Sequence, residues 1–323
     1  MRILITGGAG FVGSHTVDRL LPQGHEILVI DNYATGRRDN LKTHPKLKVV
    51  EGTIANKDLV DKCFREFKPE IVIHAAAAYK NPDDWIEDTQ TNVLGTVYIT
   101  KASKEAGVKR IIYFQTALCY GLKPLEQPIT FKHPLFSGGY EGGSSYAISK
   151  TGGEQYIELS GLDFVSFRLA NAYGPRNISG PLPTFFQRLT TDKACFVMDT
   201  RRDFIYIQDL VDVVEKAVKG EGKRGYYHIS TGSDFAIKDL YDETIKALQM
   251  PEKAKVEVKE RNPDDVYTIL IDPSKTEKDF AWKASTPLEK GVADAINYYR
   301  EYGINQTFTH LRLDKETHAE AKH

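Results

Sequence analysis

The sequence predicts an α/β protein: a doubly wound parallel sheet with helices on both faces, joined to a smaller, interleaved C-terminal α/β domain. Two observations carry this prediction. Over residues 1–170, short β-branched apolar runs alternate with longer helical patterns, and a glycine-rich segment directly follows the first run. Alternation at this spacing is typical of the βαβ units of a Rossmann fold, because each crossover helix packs back onto the sheet.

The predicted elements follow this alternation in order. Strands are predicted at residues 2–6, 26–31, 48–51, 71–75, 110–116 and 164–169, with helices at 12–21, 58–67, 85–106 and 145–159. From residue 171 the regular alternation of strand and helix patterns ends. The segments Gly174-Pro175 and Gly180-Pro181-Leu182-Pro183 are typical loop signals. Shorter elements are predicted at 204–207, 210–219, 226–230, 237–248, 256–258 and 288–302.

The composition argues against several classes of protein. The chain of 323 residues is 41% hydrophobic and 27% charged, with a net charge of −1. This balance gives no basis for binding nucleic acid or an anionic membrane surface. No stretch approaches the roughly 20 apolar residues that span a bilayer. We therefore expect a cytoplasmic protein with neither nucleic acid nor a membrane as its partner.

The cysteines point to no metal site. Cys63, Cys119 and Cys195 are scattered and odd in number. They have no metal-ligand spacing and form no disulfide framework, so a reduced compartment fits and no metal is expected.

The glycine-rich segment predicts a dinucleotide site. Gly7, Gly10 and Gly13 are spaced as Gly-x-x-Gly-x-x-Gly between the first strand and the first helix. Such glycines permit a tight turn, close approach of the backbone to a pyrophosphate, and close packing of helix on strand. The backbone amides of Phe11 and Val12, at the start of that helix, would receive the phosphates.

The end of the second strand indicates which dinucleotide binds. Asp31 lies there and would accept hydrogen bonds from the adenosine ribose, which favours NAD because a 2′-phosphate would meet like charge. Asn32 and Gly36 are expected on the same rim. Arg37 and Arg38 follow, and they leave open the alternative that a 2′-phosphate is held there.

A second motif predicts acid–base chemistry. Tyr146 and Lys150 are four residues apart on a predicted helix and therefore share one face. A lysine cation beside a phenol favours the phenolate, so the tyrosine is expected to act as a base. Thr116 ends a predicted strand, where its hydroxyl would face the ligand crevice. The alternative for the Tyr-Lys pair alone is an ordinary surface contact on a helix.

Together these residues identify a family. The chain resembles the extended short-chain dehydrogenase/reductases, specifically the NAD-dependent nucleotide-sugar epimerases and dehydratases, and within them the epimerases of surface-polysaccharide (O-antigen) synthesis. The resemblance rests on Thr-Gly-Gly-Ala-Gly-Phe-Val-Gly (6–13), His-Ala-Ala-Ala (74–77), Asn-Val-Leu-Gly-Thr (92–96), Tyr146 with Lys150, Arg-Leu-Ala-Asn-Ala-Tyr-Gly-Pro-Arg (168–176) and Arg-Asp-Phe-Ile-Tyr-Ile-Gln-Asp (202–209).

The resemblance implies roles for individual residues. Catalysis falls to Thr116, Tyr146 and Lys150, and the further NAD contacts to Thr53, Ile54, Ala75, Ala76, Ala77 and Asn92. Asn92 would also stabilise the helix that carries Tyr146 and Lys150. A nucleotide-diphosphate sugar would be bound by Lys80, Thr116, Asn171, Arg176, Arg202, Arg261 and Asp264, with Asp265 as the alternative to Asp264.

The resemblance also implies a division of the chain. Residues 1–170 would form the NAD-binding domain, with segments near 204–230 and 266–282 returning to it. Residues 171–315 would mainly bind the nucleotide sugar, and 316–323 would be a frayed tail. We expect a homodimer paired through the helices at 85–106 and 145–159.

The residues after Thr116 discriminate between reactions of the family. A dehydratase has Asp-Glu there and a uronate decarboxylase a glutamate, whereas this chain has Ala117 and Leu118. A 4-epimerase needs neither carboxylate, because the hydride that leaves the sugar returns to its other face. We therefore predict a UDP-sugar 4-epimerase that works through a 4-keto intermediate. A dehydratase or reductase of the same family and a non-catalytic dinucleotide sensor are the alternatives.

Overall fold

The structure of the protein is a computed structural model, and it describes residues 1–138, 144–261, 266–304 and 306–308. Asp264, Asp265 and the tail at 316–323 lie outside these ranges. Within them, no helix has the length and apolar character needed to cross a membrane.

The strands alternate with helices through the first half of the chain. The strands of the whole described chain are β1 (Arg2–Thr6), β2 (Glu26–Asp31), β3 (Leu47–Glu51), β4 (Ile71–His74), β5 (Arg110–Thr116), β6 (Phe164–Leu169), β7 (Asn171–Tyr173), β8 (Phe196–Met198), β9 (Arg201–Arg202), β10 (Phe204–Tyr206), β11 (Gly225–Ile229), β12 (Phe235–Ala236) and β13 (Glu257–Lys259). The α-helices are α1 (Phe11–Leu20), α2 (Lys57–Phe67), α3 (Trp85–Asp88), α4 (Thr96–Glu105), α5 (Ser145–Leu159), α6 (Pro181–Thr190), α7 (Ile207–Val218), α8 (Ile237–Leu248), α9 (Ser274–Phe280) and α10 (Leu288–Tyr302).

The central sheet has seven strands in the described part of the chain, in the order β11-β6-β5-β4-β1-β2-β3. Every neighbouring pair in it is parallel. The chain winds from β1 outward to β3 on one side, then returns to β4 and winds outward on the other. The predicted doubly wound Rossmann fold is therefore confirmed, and the sheet reverses its direction of winding between β1 and β4.

Alternating residues of the strands bury opposite faces of the sheet. Ile3 and Ile5 of β1 belong to a core shared with Val17 of α1 and Leu210 of α7. Leu4, between them, belongs to a second core. Successive side chains of a strand point to opposite faces, so both faces of this sheet are covered by helices.

The later part of the chain packs beside this sheet as short two-stranded pieces and helices. β7 pairs with β10, β8 with β13, and β9 with β12. Helices α6, α8 and α10 pack on one another there. The strand β11 lies beside β6 in the central sheet, and α7 packs against α1.

One predicted element was incomplete and another was wrong. The helix predicted at 85–106 runs without interruption to Glu105, but it adopts a π-helical form over Thr89–Gly95, between α3 and α4. Asn92 in that segment is held by backbone outside the helix, which explains the irregular turn. The loop predicted at 180–183 is instead the start of α6, where Pro181 occupies the first turn and needs no amide donor. Most other boundaries agree within one residue, but α7 begins three residues before its predicted start.

Candidate active site

A long cleft opens at the carboxyl ends of β1, β2, β4 and β5. It contains about 2060 Å³ of space outside protein atoms, its open mouth included. Its position, where the winding of the sheet reverses, is the usual ligand position in open α/β sheets.

The glycine loop forms the floor of the cleft in tight contact with its surroundings. Gly7 has φ +67°, and a Cβ there would lie 2.7 Å from the Ala76 nitrogen. A Cβ on Gly13 would lie 2.2 Å from the Gly7 oxygen. Helix α1 begins at Phe11, directly after Gly10, so its first amides point toward the cleft. Gly7, Gly10, Phe11, Val12 and Gly13 all line it.

Asp31 ties this loop to the end of β2. Its carboxylate accepts hydrogen bonds from the Ala9 nitrogen at 2.8 Å and the Tyr33 nitrogen at 2.7 Å. Burial raises the pKa of Asp31, and the backbone hydrogen bonds oppose that shift. Asp31 and Asn32 line the cleft. Gly36, predicted on the same rim, instead packs behind it, where a Cβ would lie 2.9 Å from the Ala9 carbonyl carbon.

The two arginines after Asp31 are occupied by acidic partners. Arg37 pairs with Asp39 at 2.5 Å, and Arg38 pairs with Glu51 at 2.7 Å. Neither arginine lines the cleft within the described ranges. These pairings weigh against a 2′-phosphate site on this rim.

The wall at the ends of β3 and β4 is mainly small and apolar. Thr53, Ile54, Ala75, Ala76 and Ala77 line the cleft there, as predicted for cofactor contacts. Asn92 lies behind this wall with 1% of its surface exposed. Its side chain bonds the backbone of Ala78 and donates to the Ser149 hydroxyl at 3.0 Å. Asn92 therefore joins the wall to α5 rather than lining the cleft.

The three predicted catalytic residues line the cleft together. Thr116 ends β5, and its hydroxyl accepts a hydrogen bond from the Leu118 nitrogen at 3.2 Å. Tyr146 and Lys150 lie on successive turns of α5. The Lys150 amine is 2% exposed and lies 4.0 Å from the centroid of the Tyr113 ring.

The electrostatics of this pair differ from the expectation. Burial raises the pKa of the Tyr146 phenol, and the neighbouring Tyr79 and Asp88 add to the increase. Burial also lowers the pKa of the Lys150 amine to about 7, against which the Glu154 carboxylate acts. The predicted lowering of the tyrosine pKa is wrong for the protein alone, because burial dominates the pKa of the Tyr146 phenol.

The substrate residues are only partly brought together. Lys80, Asn171 and Arg202 line the cleft. Arg202 is anchored by the backbone oxygens of Arg201 and Val266, at 2.7 and 3.1 Å.

Two other predicted substrate residues lie outside the described lining of the cleft. Arg176 pairs with Asp18 of α1 at 2.7 Å, and its backbone adopts φ +67°. Arg261 is exposed beside the Tyr267 ring. The prediction for Arg176 is therefore wrong in this structure.

Several cleft residues were not predicted from the sequence. They are Thr35, Tyr79, Glu87, Leu118, Leu122, Phe204 and Ile269, among others. Thr35 follows the end of β2, and Tyr79 follows the end of β4. Adjacency to the motifs at 31–32 and 74–77 was a signal for these two, whereas nothing local in the sequence marked Ile269.

Comparison with known proteins agrees with this geometry. The model of the family described as "NAD dependent epimerase/dehydratase family" matches residues 3–229. The chain belongs to this family. The Bordetella bronchiseptica enzyme WbmH, solved in complex with NAD⁺, is similar with 50% identity and a TM-score of 0.89, over 94% of this chain and 99% of that chain.

Two curated relatives show how the family divides. A UDP-glucose 4-epimerase of Mycolicibacterium smegmatis is 29% identical over 319 residues, covering 93% of this chain and 99% of its own. UDP-glucuronic acid decarboxylase 6 of Arabidopsis thaliana is 31% identical over 314 residues, covering 90% and 87%. The predicted family and cofactor, NAD, are confirmed. The glycine cradle, the α1 amides and Asp31 are the residues that would hold the dinucleotide.

Proposed function

We propose that this protein is an NAD-dependent 4-epimerase of a UDP-sugar. The observation that carries the proposal is the convergence of Thr116, Tyr146 and Lys150 on one cleft that also contains the glycine cradle. The named relatives act on UDP-glucose and UDP-glucuronic acid, which supports UDP as the nucleotide.

Each catalytic side chain has a defined role. The Tyr146 phenol takes the proton of the sugar hydroxyl and later returns it, while the Thr116 hydroxyl hydrogen-bonds the same oxygen. The Lys150 ammonium stabilises the phenolate and binds the nicotinamide ribose. NAD, when bound, accepts hydride from the sugar and gives it back. Because the pKa of Tyr146 is raised in the protein alone, the positive nicotinamide is needed to favour the phenolate.

The lining of the cleft favours epimerisation over elimination or decarboxylation. Ala117 and Leu118, which follow Thr116, both line the cleft and carry no ionisable group. Glu87 also lines the cleft, but it lies on α3 rather than beside Thr116. Among the described residues, none beside the catalytic threonine in sequence is a second proton carrier, which fits a reaction whose only proton transfers involve the sugar hydroxyl.

We propose a matching division of the chain. Residues 1–170, with segments near 204–230 and 266–282, hold NAD, while 171–315 mainly hold the nucleotide sugar. Arg202 supports this division, because a guanidinium makes bidentate charge-assisted hydrogen bonds to a diphosphate. Asn171, at the start of β7, lies on the same side of the cleft.

The test is incubation with a panel of UDP-sugars and NAD⁺, followed by NMR. Inversion at C4 with no net change in nicotinamide absorbance is expected. Tyr146→Phe should lower kcat by about 10²–10⁴-fold, whereas Tyr156→Phe, at an exposed position of the same helix, should not. Net consumption of reduced nicotinamide would show a reductase, and normal turnover by Tyr146→Phe would refute the mechanism.

We also propose that the protein forms a homodimer through the α3 to α5 region. Exposed apolar side chains concentrate there: Trp85 and Ile86 on α3, and Ile148, Tyr156 and Leu159 on α5. Helices α3 and α5 pack against each other, so these side chains lie on adjacent elements. A second copy of the chain would bury them by a two-fold contact.

Light scattering of variants tests the dimer. Leu159→Glu together with Ile86→Glu should shift the protein toward monomer. Leu125→Glu, at a similarly exposed leucine outside these helices, should leave the dimer intact. An unchanged mass for the double variant would refute this interface.

The proposed biological setting is the synthesis of polysaccharide precursors in the cytoplasm. It is supported by the resemblance of the chain to surface-polysaccharide epimerases. Deletion of the gene should remove one epimeric sugar from the cell's polysaccharide, which sugar analysis would detect. An unaltered sugar composition would contradict this setting.

A further inference from the structure

A buried ion pair lies directly behind the catalytic helix. Glu154 is one turn beyond Lys150 on α5, and Arg168 is on β6. The Glu154 carboxylate accepts from Arg168 Nη2 at 2.7 Å and from Nε at 3.2 Å. The two side chains are 2% and 5% exposed. A charge so buried is retained only with a close partner, and the guanidinium supplies it.

This pair is also joined to the turn after Thr116. Arg168 Nη1 donates to the Tyr120 hydroxyl at 2.7 Å, and that hydroxyl lies 2.6 Å from His228 Nε2. Tyr120 ends the short 3₁₀ turn (Ala117–Tyr120) that the Thr116 side chain caps. A continuous chain of hydrogen bonds therefore fixes the helix of Tyr146 and Lys150 relative to the strand end of Thr116.

Among the acidic groups around α5, Glu154 acts on the Lys150 amine, whereas the buried Asp88 of α3 acts on the Tyr146 phenol. His74 of β4 faces Lys150 but is neutral, because burial lowers the His74 pKa to about 3. The ring face of Tyr113 on β5 contacts the Lys150 amine. The hydrogen-bonding groups of the Asn92 segment are uncharged. Tyr146 shares the helix, and Arg168 of β6 lies beyond the Glu154 carboxylate. Residues i and i+4 of a helix share one face, so Glu154 lies one turn from Lys150 on the same side of α5.

We propose that Glu154 is a positioning residue whose carboxylate, held by Arg168, keeps the Lys150 amine in the ammonium form that the active site uses. This inference rests on the proposed function. Burial already brings the pKa of Lys150 to about 7, and Glu154 opposes that decrease. Without the carboxylate, most of the Lys150 amine would be neutral at neutral pH.

The test removes the charge of Glu154 without leaving Arg168 unpaired. Glu154→Gln alone strands a buried guanidinium and can fail to fold, so Glu154→Gln combined with Arg168→Met is the main variant. Turnover should be lost at a lower pH than in the wild type, which gives a deficit on the alkaline side. The control is Ser166→Ala, which removes a 2.5 Å hydrogen bond to the same carboxylate but keeps its charge. The alkaline limb of the pH–activity profile of Ser166→Ala should coincide with that of the wild type.

A second measurement needs no activity and separates this inference from the proposed function. The pKa of Lys150 is lowered on folding, so the native state binds fewer protons and its stability relative to Lys150→Met rises with pH from about 7 upward. In the Glu154→Gln/Arg168→Met background that rise should begin at a lower pH. The inference would be overturned if the rise in relative stability or the alkaline limb of the pH–activity profile stayed at its wild-type pH. It would also be overturned if Ser166→Ala displaced either of them equally. Absence of epimerisation by the wild type, with the stability difference displaced as expected, would refute only the proposed function.

Discussion

The two halves of the cleft differ in the groups that line them. The half above β1 and β2 consists largely of backbone from consecutive residues, with Gly7 and Gly13 pressed against their neighbours and Asp31 bonding the loop amides. The half toward the C-terminal segments gathers side chains from distant positions, such as Asn171, Arg202 and Ile269. Substitutions should therefore act by steric exclusion in the first half and by loss of single contacts in the second.

The largest effect is expected in the backbone half. Gly13→Ala places a Cβ 2.2 Å from the Gly7 oxygen, so the loop must move. Overpacking of this kind costs about 1–3 kcal/mol or more, and NAD affinity measured by calorimetry should fall by at least about 100-fold.

A glycine elsewhere provides the matched control. Gly152 lies in α5, where a Cβ would meet Val93 Cγ2 at an ordinary 3.5 Å. Gly152→Ala should bind NAD as the wild type does and gain up to about 1 kcal/mol of stability from helix propensity. Equal NAD affinity in the two variants would contradict the assignment of steric exclusion to the glycine loop.

An intermediate effect is expected in the side-chain half. Arg202→Met removes a cleft guanidinium worth about 1.5–3 kcal/mol in charge-assisted hydrogen bonds, so KM for the UDP-sugar should rise by about 10–100-fold. Arg176→Met should leave KM unchanged, because Arg176 pairs with Asp18 outside the described cleft lining. Steady-state kinetics would measure both, and a raised KM for the Arg176 variant alone would reverse the two roles.

The smallest effect is expected from an isosteric change at the rim. Asp31→Asn keeps the size of the side chain but loses its charge, so NAD affinity should fall by about 5- to 10-fold, close to 1 kcal/mol. Discrimination against NADP should weaken as well. Asp39→Asn is the control, because it releases Arg37 without touching the cleft. Tight NADP binding by the Asp39 variant would instead support a 2′-phosphate site at Arg37 on this rim.

Prediction from sequence succeeded where function depends on local backbone. The positions of Gly7, Gly10, Gly13 and Asp31 in the cleft follow from a strand-loop-helix pattern that is short in sequence. It failed where a residue's surroundings come from elsewhere. Arg176 matches a motif, yet the fold directs it toward α1. Asn92 lies in a predicted continuous helix, yet contacts with Ala78 and Ser149 accompany a π-helical turn there.

The sequence alone determined the order of strands and helices over residues 1–170, the dinucleotide cradle and the placing of Tyr146 and Lys150 on one helix, because periodicity and residues close along the chain govern them. Only the tertiary structure decided the ionisation of that pair, which arginine reaches the cleft, and the link from Glu154 through Arg168 to Tyr120. Those properties depend on burial and on contacts between residues far apart in the chain, and no local pattern encodes either of them.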